Sequence, residues 1–106
     1  MQSLNRFTLL GNVGCARQSD TVVTVTIATN RISYDPKEGR KEETNWAQVT
    51  VMKPRQTEWV VSKVKKGDRV FVEGYISHNA VGSGSERKFV TDLIVESIVN
   101  FEGGGT

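Results

Sequence analysis

The chain has one cysteine, Cys15, and one histidine, His78, among its 106 residues. A single cysteine excludes an intramolecular disulfide and favours a reducing compartment. One Cys and one His cannot supply the usual Cys/His zinc site, and they lie on different predicted elements, which argues against a Cys–His nucleophilic pair. We therefore expect no metal and no cofactor. Cys15 is predicted to be a small filler near a turn, and His78 an exposed residue at a strand end or a minor contact.

Long apolar runs are also missing from the chain. None approaches the ~20 residues of a membrane-spanning helix, so we expect no membrane partner. The first six residues are not followed by the apolar region of a signal peptide. Hydrophobic residues make up 37% of the chain, and its length suits one folded domain. We predict that this domain covers residues 1–102 and that residues 103–106 begin a flexible glycine-rich tail.

Neither sign of charge dominates. Fourteen basic and 12 acidic residues leave a formal net charge of only +2, which is a weak indication of nucleic-acid binding. The places where the cations lie along the chain are therefore more informative than their sum.

The clearest local pattern is the alternation over residues 44–52, which predicts a β-strand with one buried face. Ala47, Val49 and Val51 share the core-facing side, and Trp46 lies on the polar side. A tryptophan among hydroxyl and amide groups suggests a contact surface. The alternatives are a tryptophan covered by a loop or buried between subunits.

Periodicity and turn residues predict four further strands and one helix. In order, the elements are strands 6–13, 21–30 and 44–52, a helix between Pro54 and Gly67, and strands 68–77 and 88–100. An apolar stripe of Thr57, Val60, Val61 and Val64 marks the buried helix face, with Trp59 as a plug against the sheet.

This order predicts an all-β OB-fold, a five-stranded Greek-key barrel with one helix between strands 3 and 4. Gly11 and Gly74 would form the corners of the barrel. An open α+β sheet is the alternative.

Three connections are predicted between the strands: a polar link at 14–20, a long loop at 31–43 and a flexible hairpin loop at 79–87. The long loop carries Tyr34 and four cations, Arg31, Lys37, Arg40 and Lys41. Long loops in small domains are usually functional or mobile, so this one is a candidate functional segment. A solvated flap of balanced charge is the alternative.

Apolar side chains on outward strand positions predict self-association. Val70, Val72 and Ile76 are assigned to the core, which leaves Phe71 and Tyr75 outward on the same strand. Leu93 and Val95 are assigned to a second outward row on the last strand. We predict a homo-oligomer, with a tetramer ahead of a dimer, whose interface includes Phe71, Tyr75 and Leu93.

Four blocks of the chain resemble the bacterial and mitochondrial single-stranded DNA-binding proteins (SSB). They are LNRFTLLGNVG at 4–14, TIATN at 26–30, ETNW at 43–46 and KKGDRVFVEG at 65–74. The blocks occur in the family's order and span nearly the whole chain. The resemblance implies an OB fold, single-stranded DNA as ligand, assembly usually into a homotetramer, and a location in the bacterial cytoplasm at the nucleoid or in the mitochondrial matrix.

The resemblance also assigns stacking positions. Trp46 coincides with a family tryptophan, and Tyr34 replaces a second one in the DNA-wrapping loop. Met52 stands where a stacking phenylalanine is common, Val81 stands near another family tryptophan, and Ala47 occupies the place of a family histidine. The cations expected to neutralise phosphates beside them are Arg6, Arg31, Lys37, Arg40, Lys41, Lys53, Arg55, Arg87 and Lys88.

The predicted function is sequence-independent binding of single-stranded DNA, without catalysis, in replication, recombination and repair. Replication and repair proteins are the expected protein partners. The alternative within the same fold is a primosomal accessory protein, an OB dimer that binds DNA weakly and recruits replication-restart proteins. A small OB-barrel nuclease is a third possibility, but its clustered carboxylates do not occur in this sequence, where the acids are scattered among bases.

Overall fold

The computed structural model describes residues 2–101, which form a closed five-stranded barrel with one helix. The elements in chain order are β1 (Phe7–Ser19), β2 (Val22–Asp35), β3 (Gly39–Val51), α1 (Pro54–Lys63), β4 (Arg69–Val81) and β5 (Lys88–Asn100). Around the barrel the strands follow the order β1-β2-β3-β5-β4. The predicted OB-fold with a helix between strands 3 and 4 is confirmed. The predicted tail at 103–106 lies outside the described residues.

The core is built almost entirely from β-branched side chains at alternate strand positions. Val23, Val25 and Ile27 of β2 face Val49 and Val51 of β3, and none of the five is more than 1% exposed. β-branched residues suit such a core because they pack well on a pleated surface and lose little rotamer freedom there. The inward alternation predicted for β2 and β3 is therefore confirmed.

Helix α1 covers one part of the barrel with Thr57 and Val60, and Val64 packs inward just after the helix ends. Trp59 packs against this core, as predicted. The assignment of Val61 to the buried stripe was wrong, since its side chain is 53% exposed. Val61 lies about 100° around the helix from Val60, and here this rotation carries its side chain to the solvent side of the stripe.

The segment after the helix is fastened to the barrel by the carboxylate of Asp68. Its Oδ2 accepts the backbone N–H of Lys65 at 2.9 Å and the Nδ2–H of Asn100 at 2.8 Å. Asn100 also donates to the backbone carbonyl of Lys63 at 3.1 Å. These hydrogen bonds to the ionised form, led by that from Lys65, lower the pKa of Asp68. The Asp68 carboxylate thus joins the segment just after α1 to Asn100 at the end of β5.

Gly11 and Gly74 lie where two strand backbones approach too closely for a side chain. A Cβ on Gly11 would overlap the carbonyl oxygen of Ala28, and a Cβ on Gly74 would overlap that of Ile94. The β4–β5 register shifts beside Gly74, whereas the irregularity in β1 falls between Val13 and Cys15. Glycine is needed at both predicted corners because it alone has no Cβ.

The predicted loop at 31–43 was wrong, because β2 and β3 continue through it as a paired ribbon. Their register runs without a break as far as Asp35 opposite Gly39. The Asp35 carboxylate accepts the N–H groups of Lys37 at 2.7 Å and Glu38 at 3.2 Å, and Gly39 has a φ of +81°. Beyond the barrel both faces of the ribbon meet water, so no apolar alternation marks the strands in the sequence.

The other two predicted connections are also partly strand. β1 runs through the supposed link at 14–20 to Ser19, and β4 runs on to Val81 before a short 3₁₀ turn at Gly84–Glu86. These strand ends are exposed to solvent, as the ribbon is, so no apolar alternation identifies them in the sequence.

The assignment of Ile76 to the core and of Leu93 and Val95 to an outward row was wrong. Ile76 is 43% exposed although it shares the strand face of Val70 and Val72, because β4 extends beyond the barrel there. Val95 is 1% exposed, and Leu93, two residues away on the same side of β5, packs against the core.

Phe71 and Tyr75, by contrast, are partly exposed. Phe71 pairs with Leu10 of β1 on one side and with Val99 of β5 on the other. Both of these neighbours are exposed, so an apolar row crosses three adjacent strands on the outside of the barrel.

Candidate nucleic-acid interface

Trp46 lies on the outer face of the β2–β3 sheet, opposite Ala28, and its side chain is 61% exposed. Its ring lies over Gly14 of β1, so that a Cβ at that position would come within 2.5 Å of Cζ3 and 3.2 Å of Cη2 of the indole. The indole therefore rests on backbone while most of its surface meets solvent. The alternative of a tryptophan covered by a loop is excluded within the described residues.

Tyr34 and Arg40 lie further out on the ribbon and share the face of Trp46. They form a cross-strand pair, and even spacing along β3 puts Arg40 on the same side as Trp46. Tyr34 is 77% exposed. At about 3.3 Å per residue, this pair lies roughly 20 Å from Trp46 along the strand.

Met52 extends the same face in the other direction. Met52 comes directly after β3, six residues beyond Trp46, just as Arg40 lies six residues before it. Its side chain is exposed. Lys53 and Arg55 stand beside it, at the N-cap and in the first turn of α1, and both are exposed. The outer face thus carries side chains suited to stacking or apolar contact at its two ends and at its middle.

The remaining ribbon cations are not on this face. Odd spacing puts Arg31, which pairs with Glu43, and Lys41, which pairs with Ser33, on the opposite side of the ribbon. Lys41 Nζ also makes an ion pair with Glu38 Oε2 at 2.7 Å. Lys37 lies in the turn itself. The ribbon therefore presents cations on both faces, with Arg40 alone of the four paired to an aromatic residue.

Several residues of this face were missed by the sequence analysis. Beside Trp46 lies a shallow depression lined by Cys15, Arg17, Thr24, Thr26 and Gln48. Cys15 Sγ lies 3.7 Å from Thr26 Oγ1, and Cys15 is exposed in the middle of β1, so its prediction as a filler near a turn was wrong. The alternating threonines of β2 could have indicated the polar outer face. Cys15 and Arg17 could not, because their segment was predicted to be a polar connection rather than part of β1.

The β4–β5 hairpin holds Arg87 and Lys88 together with an aromatic residue that was also missed. The Arg87 guanidinium carbon lies 5.3 Å from the ring centroid of Phe89. The His78 ring stacks on Phe89 with centroids 5.2 Å apart and an interplanar angle of 5°. His78 is exposed as predicted, but it lies within β4 rather than at its end.

Both hairpins project from the same end of the barrel. β3 and β5 run parallel, with Val49 beside Leu93, so the beginnings of the two strands lie on the same side. The ribbon that leads into β3 and the hairpin that leads into β5 therefore extend beyond the barrel on the same side.

Arg6 does not lie with the other predicted cations. It lines a separate depression with Glu73 and Glu96 on the β4–β5 side of the barrel. The preceding Asn5 holds this segment against β4, donating to the carbonyl of Ile76 at 2.7 Å and accepting its N–H at 2.9 Å. The structure thus separates Arg6 from the Trp46 face.

Within residues 2–101, no group of three or more His, Cys, Asp or Glu side chains is arranged to hold a metal ion. The single α-helix in that range is too short and too polar to cross a membrane.

Comparison with known proteins gives a consistent result. The model of the single-strand binding protein family matches residues 4–101. The mitochondrial single-stranded DNA-binding protein of Drosophila melanogaster is 30% identical over 94% of this chain and 73% of its own length. Single-stranded DNA-binding protein 1 of Xylella fastidiosa is 31% identical over 92% of this chain and 77% of its own.

A solved structure of Plasmodium falciparum SSB in complex with ssDNA superimposes with a TM-score of 0.75 at 25% identity, covering 94% of this chain and 96% of that one. A small single-stranded DNA-binding protein from Streptomyces coelicolor, 18% identical with a TM-score of 0.60, shares the fold. With the family model matched along almost the whole described barrel, this chain belongs to the single-strand binding protein family.

Proposed function

We propose that this chain binds single-stranded DNA without sequence preference, through the outer face of β2 and β3. The observation that carries the proposal is the exposed indole of Trp46, which rests on Gly14 in the middle of a polar sheet face. A base can stack on such a ring whatever its identity, because every base has a π-face, and one stacked base contributes ~1–3 kcal/mol. Tyr34 offers a second ring on the same face.

Phosphate neutralisation supplies the second part of the proposed binding. Arg40, Lys53 and Arg55 flank the stacking face, and Arg17 lines the depression beside Trp46. Each phosphate paired with a cation releases condensed counterions, which makes affinity fall as salt rises. Arg31, Lys37, Lys41, Arg87 and Lys88 lie on the two projecting hairpins, where a strand that wraps beyond the central face would meet them.

The proposed assembly is a homo-oligomer, with a tetramer ahead of a dimer. The outward row of Leu10, Phe71 and Val99, continued by Tyr75, exposes apolar surface that a second copy would cover. Several linked sites also bind a long strand more tightly than one site does, through effective concentration. Sedimentation equilibrium without DNA tests this assembly, and a clean monomer at micromolar concentration would contradict it.

Single-strand binding proteins act by binding, and we propose the same here, with no catalytic step. The bound strand would be kept single and presented to replication, recombination and repair proteins. Relatives occur in bacteria and in mitochondria, so the bacterial nucleoid or the mitochondrial matrix is the proposed location.

Fluorescence titration with oligo-dT of increasing length at two salt concentrations tests the function. Trp46→Ala should weaken binding by about 1–3 kcal/mol, as loss of one stacking platform predicts. Trp59→Phe is the matched control, since Trp59 packs against the core and a phenylalanine keeps most of that contact. Equal losses in the two variants, or no binding by the unmodified chain, would contradict the proposal.

The same titration separates the primosomal alternative. A dimer with weak binding and a short site favours a recruiting accessory protein, whereas a tetramer with a long site favours strand protection.

A further inference from the structure

The face proposed to bind a polyanion carries an acidic side chain between its two aromatic rings. Glu42 lies four residues before Trp46 on β3, so even spacing puts both on the same side of the ribbon, and Tyr34 lies beyond it. Glu42 is exposed. Within residues 2–101 the one ion pair joins Lys41 to Glu38, so no cation of that range is paired with Glu42. A carboxylate there repels phosphate, and phosphate binding does not explain its place.

A hydrogen-bonded pair lies next to Glu42 on the same face. Thr44 pairs with Asn30 across the two strands, and its Oγ1–H donates to Asn30 Oδ1 at 2.9 Å. This bond occupies the amide oxygen of Asn30, so the amide N–H groups of that residue remain to donate to a ligand. The face between the two rings therefore offers N–H donors from Asn30 and carboxylate acceptors from Glu42.

The separation of the two rings places a base over these groups. Tyr34 and Trp46 lie roughly 20 Å apart along the ribbon, at about 3.3 Å per residue. This separation exceeds the step between successive nucleotides, so a strand stacked on both rings carries at least one intervening base across Asn30 and Glu42. Repulsion by Glu42 turns the phosphate of that nucleotide away from the ribbon, and the edge of the base then faces the carboxylate.

An ionised carboxylate distinguishes bases by the groups on their edges. It only accepts hydrogen bonds, so Glu42 can pair with the N4 amino group of cytosine but not with the O4 oxygen that thymine has at the same position. Adenine and guanine also carry amino groups. The N–H groups of Asn30 can donate to the O2 oxygen, which both pyrimidines share, so Asn30 does not distinguish cytosine from thymine.

We propose that Glu42 gives the Trp46 face a preference for bases with an amino group over thymine, with Asn30 as a positioning residue. The proposal rests on the function proposed above and adds to it a preference for base composition. Any sequence still binds, because stacking on Trp46 and Tyr34 accepts every base.

Substitution of Glu42 tests the preference with oligo-dC and oligo-dT of equal length. Glu42→Gln should lower the ratio of the affinity for oligo-dC to that for oligo-dT about 2- to 10-fold, the range for one hydrogen bond, because an amide can also donate to the O4 of thymine. Glu43→Gln is the matched control, since it removes the same charge from the opposite face of the ribbon, and it should leave the ratio unchanged. An unchanged ratio in Glu42→Gln, or the same change in both variants, would overturn the proposal.

A cytosine analogue that lacks the 4-amino group separates base recognition from charge. The unmodified chain should bind an oligomer of this analogue more weakly than oligo-dC, and the difference should shrink in Glu42→Gln. The same difference in both proteins, or none in the unmodified chain, would overturn the preference and leave the binding function standing. Absence of binding to any of the oligomers would overturn both.

Discussion

The indole of Trp46 lies directly on the backbone of Gly14, with no room for a Cβ between them. The most exposed tryptophan of the barrel thus owes its orientation to the absence of a side chain on the neighbouring strand. A ring that is already held in place loses less conformational entropy when a base stacks on it.

We therefore expect Gly14→Ala to weaken DNA binding although Gly14 is not itself a proposed DNA contact. The φ of Gly14 is not positive, so alanine suits the backbone, and the new Cβ would displace the indole instead. The affinity for oligo-dT should fall by up to the full effect of Trp46→Ala. In a Trp46→Ala background the same substitution should have no further effect. Equal losses in both backgrounds would show that Gly14 acts through the fold rather than through the ring.

The two faces of the ribbon should differ in their salt dependence. Arg40 pairs with Tyr34 on the Trp46 face, whereas Lys41 faces the other way and makes an ion pair with Glu38. Arg40→Gln should reduce the slope of log K against log salt by about 0.7, the value for one phosphate contact on a single strand. Lys41→Gln, the control, should change it less. The same reduction in both variants would mean that the strand contacts both faces.

Cys15 should serve as a reporter of occupancy. It is the only cysteine in the chain, and it is exposed beside Trp46 in the depression with Arg17 and Gln48. Saturating oligo-dT should slow its modification by a maleimide, measured by mass spectrometry, because the bound strand covers this face. A rate that does not respond to DNA would place the strand elsewhere on the barrel.

The hydrogen bonds of Asp68 predict a pH dependence of stability. Because the bonds from Lys65 and Asn100 hold the pKa of Asp68 below its ordinary value of 3.8, the ionised form stabilises the folded state. That contribution is fully present above the unfolded-state pKa and is lost as the pH falls through the folded-state pKa. Urea unfolding should show a smaller drop in stability between pH 5 and acid pH for Asp68→Asn than for the unmodified chain. Parallel pH profiles would contradict this assignment.

The sequence predicted those parts of the molecule in which one face is buried. The alternation of Val23, Val25 and Ile27 predicts β2, and that of Val49 and Val51 predicts β3. Successive side chains of a strand point to opposite faces, so a strand with one buried face has an apolar residue at every second position. The position of Trp46 on the polar face followed from the same count, and the helix limits followed from Pro54 and Gly67 to within a few residues.

The features that the sequence could not predict lie where apolar and polar residues do not alternate. Tyr34 and Arg40 lie on a ribbon with solvent on both sides, so its strands carry no apolar alternation, and the sequence predicts a loop there instead. Ile76 shares the strand face of Val70 and Val72, and it is exposed because β4 extends beyond the barrel, which the alternation of the sequence does not reveal. The contact between His78 and Phe89 depends on a pairing across the hairpin that no local pattern encodes.

The contact between β3 and β5 has a consequence for how the barrel forms. Within the described residues these two strands pair only at Val49 with Leu93 and at Thr50 with Ile94. The β2–β3 and β4–β5 hairpins join neighbours in the chain and require little loop-closure entropy, whereas this seam joins distant segments for very few hydrogen bonds. We expect the β3–β5 contact to form last in folding. We also expect its hydrogen bonds to exchange first in native-state hydrogen exchange, because the barrel would open locally between the two hairpins.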